Sequence, residues 1–452
     1  MILNLLTFHG SRRPLVALAA TALLCLLAYS RALTLPLISD DYLQIQLGRD
    51  YGPMSNWHNL AADALYRCRA TSILITYWTE RLFGIGPLTL NISSLLVHIL
   101  NTWLVLALGY WRVIGWRLSA IAAGFFAIYE GHQEAVMWYA ALPELLVFMF
   151  ALGSFLFWIA WLQERRAREC YYAAALLCYL LALLSKESGV VVGPLILLAV
   201  CVEARPLREW IVRILPFAVL AFVDFVMIYQ ARSHHLHFQD GTFSLQAPFW
   251  AVLPVSAARL LWVWGLISLI ALGWWRASCR LRILGIAAVW IVITLLPYSF
   301  LTYMPRVPSR HTYFASAGLA LVVGAALLTF RDRYQRRSWA VGALATILLA
   351  HQCIYLWTRK HGQFVERAAP TEKLLQLASS HQGLLYIECF PYDASLAILA
   401  VKINFGDRVR LTFDEAEGIA SHGKRINLCP TPTQHDAGAV AIDANGAEAK
   451  RY

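Results

Sequence analysis

The sequence predicts an α-helical polytopic membrane protein carrying a small C-terminal α/β appendage, and three observations predict it. The chain of 452 residues is 59% hydrophobic and only 14% charged, against roughly 25% charged in an ordinary soluble domain. Its apolar residues gather in windows near the ~20 residues that a helix needs to cross about 30 Å of hydrocarbon. After residue 360 the pattern changes to short strand-like runs around one helical stretch.

The windows fall at 14–38, 88–111, 118–130, 143–162, 171–185, 187–203, 211–230, 249–275, 283–303, 312–330 and 338–358, about eleven spans. The first follows Arg12 and Arg13 but is too long for a signal peptide and shows no small-residue cleavage site, so it is read as a retained span. Clusters such as Arg112/Arg117, Arg165/Arg166/Arg168, Arg205/Arg208/Arg213, Arg276/Arg280/Arg282 and Arg331/Arg333/Arg336/Arg337 fall on every second connector. The formal charge of +11 therefore belongs to membrane orientation and argues against nucleic acid as a partner. With the basic side cytoplasmic, the N-terminus is inside and an odd number of spans sends the tail outside. The connectors at 39–87, 130–142, Ser185–Ser188, 231–248 and 304–311 then face the exterior.

The first external loop, 39–87, is too long for a plain connector, and RATSILITYWTERLFG (69–84) reads as a helix lying on the membrane surface. Residues 1–360 are assigned to the membrane module and 361–452 to the appendage. In the appendage GLLYIECF (383–390), RVRLTF (408–413) and RINLC (425–429) read as strands around the helical DASLAILAVKIN. Its last fifteen or so residues, rich in Ala, Gly and Asp, read as disordered. No spacing among the nine cysteines sets out a metal site. Cys389 and Cys429 share the hydrophilic tail, where an oxidising compartment would join them.

Lys186 and Glu187 sit in LLALLSKESGVVVGPLILL (181–199), where a mid-span charge would cost about 2.5–3.5 kcal/mol. Splitting the run puts them at a recessed external hairpin, which needs protein or water around it. Four further clusters lie on the same side. Asp40 and Asp41 follow the first span. Adjacent acids there can simply be solvated, can draw a proton from an acceptor hydroxyl, or can bind a divalent cation through oxygen. His132 and Glu134 stand in YEGHQEAVMWYAALPE, where an aromatic belt with polar caps is the plainer reading and His-x-Glu is too little for zinc. Arg306, Arg310 and His311 end the loop before the tenth window; they can snorkel to lipid phosphates or stabilise a leaving phosphate oxygen. The histidines of ARSHHLHFQDG (231–241) read as a polar loop with no site.

The order of these pieces carries a resemblance: the acid pair; YRCRATS with a surface helix ending ERLFGIGPLTLNISSLLVHILNTWL; GHQEAVMW; LLSKES; and SRHTYFASAGLAL. It resembles the GT-C superfamily of multi-span glycosyltransferases and is similar, over roughly residues 35–330, to the membrane module of the TMTC-type O-mannosyltransferases and their bacterial relatives. The resemblance implies a polyprenyl-phosphate-linked sugar as donor, the bilayer as setting, and a protein, lipid or glycan as acceptor. With bacterial relatives it implies an inner membrane. Asp40 or Asp41 would be the catalytic base. Glu134, with His132 in the same motif, and Glu187 would line the cavity. Lys186, Arg310, His311 and Arg67 would serve the donor phosphate. Cys68 stands where the family has a proline, Tyr129 and Glu130 replace its His-Pro, and Ser309 replaces its acid.

Both readings lead to in-line attack at the anomeric carbon with inversion while polyprenyl phosphate leaves, needing a base on one side and phosphate stabilisation on the other. The sequence assigns no cofactor, and the aspartate pair leaves a divalent cation open. A transporter or flippase is the competing class, and an inactive scaffold binding lipid-linked sugar is a third. Against a transporter, the charges gather on one face, with Asp224 standing isolated in an inner span.

Overall fold

The structure, a computed structural model, describes residues 13–164, 167–203, 207–230, 232–233, 243–277, 280–302, 307–334, 338–420 and 424–429. Arg306, the histidine tract and the final residues of the tail lie outside the described residues. The chain folds as two compact units, Met1–Leu35 with Gly48–His361, and Pro36–Leu47 with Gly362–Tyr452.

Every apolar window holds a helix. The helices are α1 (Arg13–Tyr29), α2 (Ser39–Tyr51), α3 (Ala70–Phe83), α4 (Pro87–Ala107), α5 (Trp116–Ile128), α6 (Leu142–Gln163), α7 (Arg168–Leu183), α8 (Val192–Val202), α9 (Leu207–Gln230), α10 (Phe249–Leu261), α11 (Trp264–Trp274), α12 (Leu281–Leu295), α13 (Ser316–Arg333) and α14 (Ser338–Tyr355). Among the described residues six helical stretches are long and apolar enough to cross a membrane, or seven if the bent pair α10–α11 counts as one. The difference from eleven windows has a local cause. The windows that become α5, α7 and α8 are cut short, at 13, 16 and 11 residues, by turns rich in Gly or Ser, and the helix in the window at 312–330, α13, runs on into Arg331, Asp332 and Arg333, which shortens its apolar length. The window at 249–275 breaks by 76° next to Val263, whose φ of +62° is a conformation that β-branched residues seldom adopt.

Two helices show how the first unit holds together without a hydrophobic driving force between its spans. On α4, Asn91, Ser94, His98, Asn101 and Thr102 fall on one face at helical spacing, and all are buried. Asn91 donates to the Leu35 carbonyl (3.1 Å), Asn101 to the Leu145 carbonyl (2.9 Å), and His98 Nδ1 meets the Tyr313 hydroxyl (2.8 Å). Side-chain hydrogen bonds of this kind tie helices together in lipid at roughly 0.6–2 kcal/mol each. The opposite face, Leu88, Ile92, Leu96 and Leu100, is 39–55% exposed, as a lipid-facing stripe would be. On α13 small residues bring backbones close. A Cβ on Gly318 would lie 2.8 Å from the Ala287 carbonyl oxygen of α12, and one on Gly324 3.2 Å from Ala122 of α5.

The second unit contains α15 (His361–Ser379), β1 (Gly383–Cys389), α16 (Ala394–Phe405), β2 (Val409–Thr412), α17 (Glu415–Ala420) and β3 (Lys424–Asn427). Its sheet runs β2-β1-β3, parallel throughout, with Leu385 beside Leu411 and Ile387 beside Ile426. Parallel strands need a crossover, and α16 supplies it between β1 and β2. Asp393 starts α16 by accepting the Ser395 N–H at 2.7 Å. Leu374, Ala378, Leu385, Ile387, Ala397, Val401, Val409, Ile426 and Leu428 form the core. Cys389, ending β1, is disulfide-bonded to Cys429, just past β3, across a Cα separation of 5.5 Å. The segment Pro36–Leu47, placed by its sequence at the end of the first window and the start of the first external loop, belongs to this unit.

Candidate active site

The first unit buries a charged hub at the LLSKES turn. Helix α7 ends at Leu183, and the N–H groups of Ser185 and Lys186 both donate to the Ala182 carbonyl. Gly189 then passes so close to α7 that a Cβ there would lie 2.7 Å from the Ala182 carbonyl carbon, so only glycine fits. Thr71, in the first turn of α3, pins the turn from outside through Thr71 N–H to the Leu184 carbonyl (3.2 Å) and its hydroxyl to Ser185 Oγ (2.7 Å). Lys186 is extended here and its side chain is 12% exposed.

Its partner is Glu144, at the start of α6 and 4% exposed. Glu144 Oε1 takes both the Lys186 ammonium and His311 Nδ1, the latter at 2.5 Å. Glu144 Oε2 accepts the Tyr298 hydroxyl at 2.7 Å, and the Ser188 hydroxyl lies 2.8 Å from the same tyrosine oxygen. The Tyr298 and His311 rings stack with centroids 4.5 Å apart, and the Lys186 ammonium lies 5.2 Å from the Tyr298 centroid. Such a pair is strongly destabilised when one partner is removed, by about 3–5 kcal/mol. Arg69 and Glu187 lie within electrostatic range of Lys186, and Glu187 and Arg67 within range of Asp224 on α9. Arg67 donates to the Ala61 carbonyl at 3.1 Å, while its Nη2 and Arg69 Nε are buried without a hydrogen-bond partner among the described residues.

Arg310 occupies the short turn Ser309–Thr312 beside His311. Its backbone N–H donates to Glu134 Oε2 at 3.1 Å, and its guanidinium stands 5.0 Å above the Trp138 ring. No carboxylate pairs with that guanidinium among the described residues. His132 is fully buried, with Nε2 2.6 Å from Ser316 Oγ and its ring packed against Phe126 and Tyr313. That is the environment of a core histidine.

Asp40 and Asp41 belong to the second unit, in the first turn of α2. Asp41 is 2% exposed; its Oδ2 accepts the Ile38 N–H at 2.8 Å while its own N–H donates to the Ile38 carbonyl at 2.7 Å. This is one half of a capping box, Asp41 at the third helical position reaching back to the N-cap N–H, while Ile38 has no side-chain acceptor to complete the other half. Asp40 is half-buried. Among the described residues no group of three or more His, Cys, Asp or Glu gathers as a metal site would require.

Sequence reasoning missed Glu144, Tyr298 and Ser188. Glu144 carried a signal: it is the one charge in the 22-residue apolar helix LPELLVFMFALGSFLFWIAWLQ. Tyr298 carried none, since nothing local distinguishes it from a belt tyrosine.

No family model and no curated protein sequence matches the chain. Solved structures do. The apo structure of ArnT from Cupriavidus metallidurans matches with a TM-score of 0.57 and 14% identity, over 94% of this chain and 95% of that one. The same enzyme bound to undecaprenyl phosphate matches with a TM-score of 0.51 and 14% identity, over 92% and 90%. The Archaeoglobus fulgidus oligosaccharyltransferase, tethered to an acceptor peptide, matches with a TM-score of 0.53 and 13% identity, over 88% of this chain and 64% of that one. At these identities the likeness is one of fold. The chain shares the polytopic membrane fold of ArnT and of the Archaeoglobus oligosaccharyltransferase.

Proposed function

We propose that the protein is a GT-C glycosyltransferase moving a sugar from a polyprenyl-phosphate donor to an acceptor on the extracytoplasmic face, with inversion at the anomeric carbon. The observation that carries this reading is the fold likeness to ArnT over 94% of the chain, together with the undecaprenyl phosphate bound in that enzyme's second structure. The TMTC resemblance makes mannose the first sugar to try.

In this reading Asp40 is the base that accepts the acceptor's proton. Asp41 has one carboxylate oxygen committed to the Ile38 N–H, so it braces the turn that carries Asp40. Arg310, stacked on Trp138 with no carboxylate partner among the described residues, suits the leaving phosphate, where planar paired donors match phosphate oxygens. Arg67 and His311 support it. Lys186 enters as half of a neutralised pair with Glu144, and Glu134 orients Arg310 through its backbone N–H. Residues 1–360 would be the membrane module and 361–452, joined by 36–47, the appendage. The Cys389–Cys429 bridge and the basic connectors support an outside tail and an inside N-terminus, in a bacterial inner membrane.

The test is release of polyprenyl phosphate by the full-length protein in nanodiscs, offered polyprenyl-phosphate mannose, glucose and galactose with membrane extract as acceptor. Wild type should release it, and the double variant Asp40→Asn, Asp41→Asn should lose release by at least about a hundredfold. Unchanged release in the double variant would end the proposal, as would a solute flux that depends on the protein while no polyprenyl phosphate is freed from any donor.

A further inference from the structure

One carboxylate gathers three residues from three separate turns. Glu144 reaches Lys186 in the Ser185–Ser188 turn, Tyr298 in the turn Pro297–Phe300 and His311 in the turn Ser309–Thr312. A carboxylate has about four acceptor positions, and three of these are used by those donors. The second oxygen is held through Tyr298 to Ser188, on the same turn as Lys186. Two of the gathered residues, Lys186 and His311, are ones that the resemblance assigns to the donor phosphate, whereas Glu144 belongs to no motif of that resemblance.

We propose that Glu144 is a positioning residue of the transfer reaction. It holds Lys186 as a charged ammonium and fixes the His311 ring through Nδ1, so that both keep one arrangement while the donor phosphate binds and leaves. This rests on reading the site as the one that takes the phosphate of a lipid-linked donor. Because His311 Nδ1 is turned to the carboxylate at 2.5 Å, the ring carries its Nδ1 proton and Nε2 points away from Glu144.

The charges around Lys186 make the proposal testable by pH. Facing it are Glu144 from α6, Glu187 from its own turn, Arg69 from the segment before α3, His311 at 3.4 Å and the Tyr298 ring. With Glu144 present, the ammonium has a buried counter-charge. Without it, Glu187 is the carboxylate left in range among the described residues, Arg69 opposes the charge, and burial favours the neutral amine. Lys186 in a Glu144→Gln variant should therefore lose its proton at a lower pH than in wild type.

The experiment uses full-length protein in nanodiscs, with undecaprenyl phosphate as the probe and binding measured from about pH 6 to pH 9. Undecaprenyl phosphate loses its own second proton at about pH 6, so every affinity is read relative to wild type at the same pH. Glu144→Gln should lose affinity as pH rises, approaching tenfold per pH unit once Lys186 titrates, and adding Lys186→Met should abolish that slope. A flat Glu144→Gln profile at wild-type affinity would overturn the proposal, as would a slope that survives Lys186→Met. Competitive amine labelling of Lys186 gives an independent reading. Wild-type Lys186 should behave as a charged amine at neutral pH, and reaction as a neutral amine near pH 7 would refute the role even if Glu144→Gln did not fold. Should wild type bind no undecaprenyl phosphate, the donor reading falls. Labelling of wild type and Glu144→Gln would still decide whether Glu144 governs the charge of Lys186.

Discussion

Asp40 and Asp41 are neighbours with separable duties, and single substitutions should pull them apart. Asp41 is 2% exposed and accepts the Ile38 N–H at 2.8 Å. Replacing it with Ala orphans that donor, which costs about 1–3 kcal/mol for a buried group, within the range of about 0.5–2 kcal/mol for lost helix caps. A destabilisation of about 2 kcal/mol follows, felt by the unit that contains Pro36–Leu47. Asp41→Asn keeps an oxygen in place and should cost less. Asp40→Asn leaves the Ile38 bond intact and removes the proposed base, worth about a hundredfold to ten-thousandfold in turnover, or roughly 3–5 kcal/mol of barrier. The assay pairs polyprenyl phosphate release with the unfolding midpoint of the same preparation. Asp40→Asn should lose turnover at an unchanged midpoint; Asp41→Ala should lower the midpoint and keep turnover per folded molecule within about tenfold. Loss of turnover in Asp41→Asn at an unchanged midpoint, with Asp40→Asn still active, would refute the assignment.

Reducing the Cys389–Cys429 bridge, which closes a separation of 40 residues, should destabilise the second unit by about 4 kcal/mol on chain entropy; hydrogen exchange of the β1 and β3 amides with and without reductant measures it, and equal protection would count against a stabilising bridge. Gly189→Ala would drive a Cβ into the Ala182 backbone at a cost of about 1–3 kcal/mol, and should shift the turn that holds Lys186, lowering both the unfolding midpoint and turnover. Asp393 has its carboxyl held below the usual range by the hydrogen bond from Ser395. A depressed acid stabilises the fold above its unfolded value and loses that contribution as pH falls through the folded one. Asp393→Ala should therefore cost about 1 kcal/mol at neutral pH and nothing in strong acid, which thermal midpoints at the two extremes would show.

Local patterns in the sequence reach as far as their range. Each of the eleven apolar windows holds a helix because composition alone decides what can sit in lipid. The three strands and α16 were readable because short apolar runs around one helical stretch carry their signal within a few residues. Which windows would become full spans was less readable, since a break inside an apolar run, such as the one next to Val263, interrupts a helix without changing the hydrophobicity around it. The hub was hidden for a further reason. Glu144 meets partners 42, 154 and 167 residues away, and no local spacing encodes pairings of that range. His132 illustrates the converse: its motif drew attention, and its surroundings are those of the aromatic core.

The membership of Pro36–Leu47 in the second unit bears on how the chain is made. A ribosome delivers that segment early, at about 5–20 residues per second, and the rest of its unit only after Gly48–His361 has been synthesised. The acid pair therefore waits through the insertion of the intervening spans before its own unit can close. A tail fragment beginning at Gly362, expressed for biochemistry, would lack a native piece of itself. Any inhibitor of late insertion would leave Asp40 and Asp41 in a unit that lacks its other part, which makes completion of biosynthesis a precondition for assembling the proposed base.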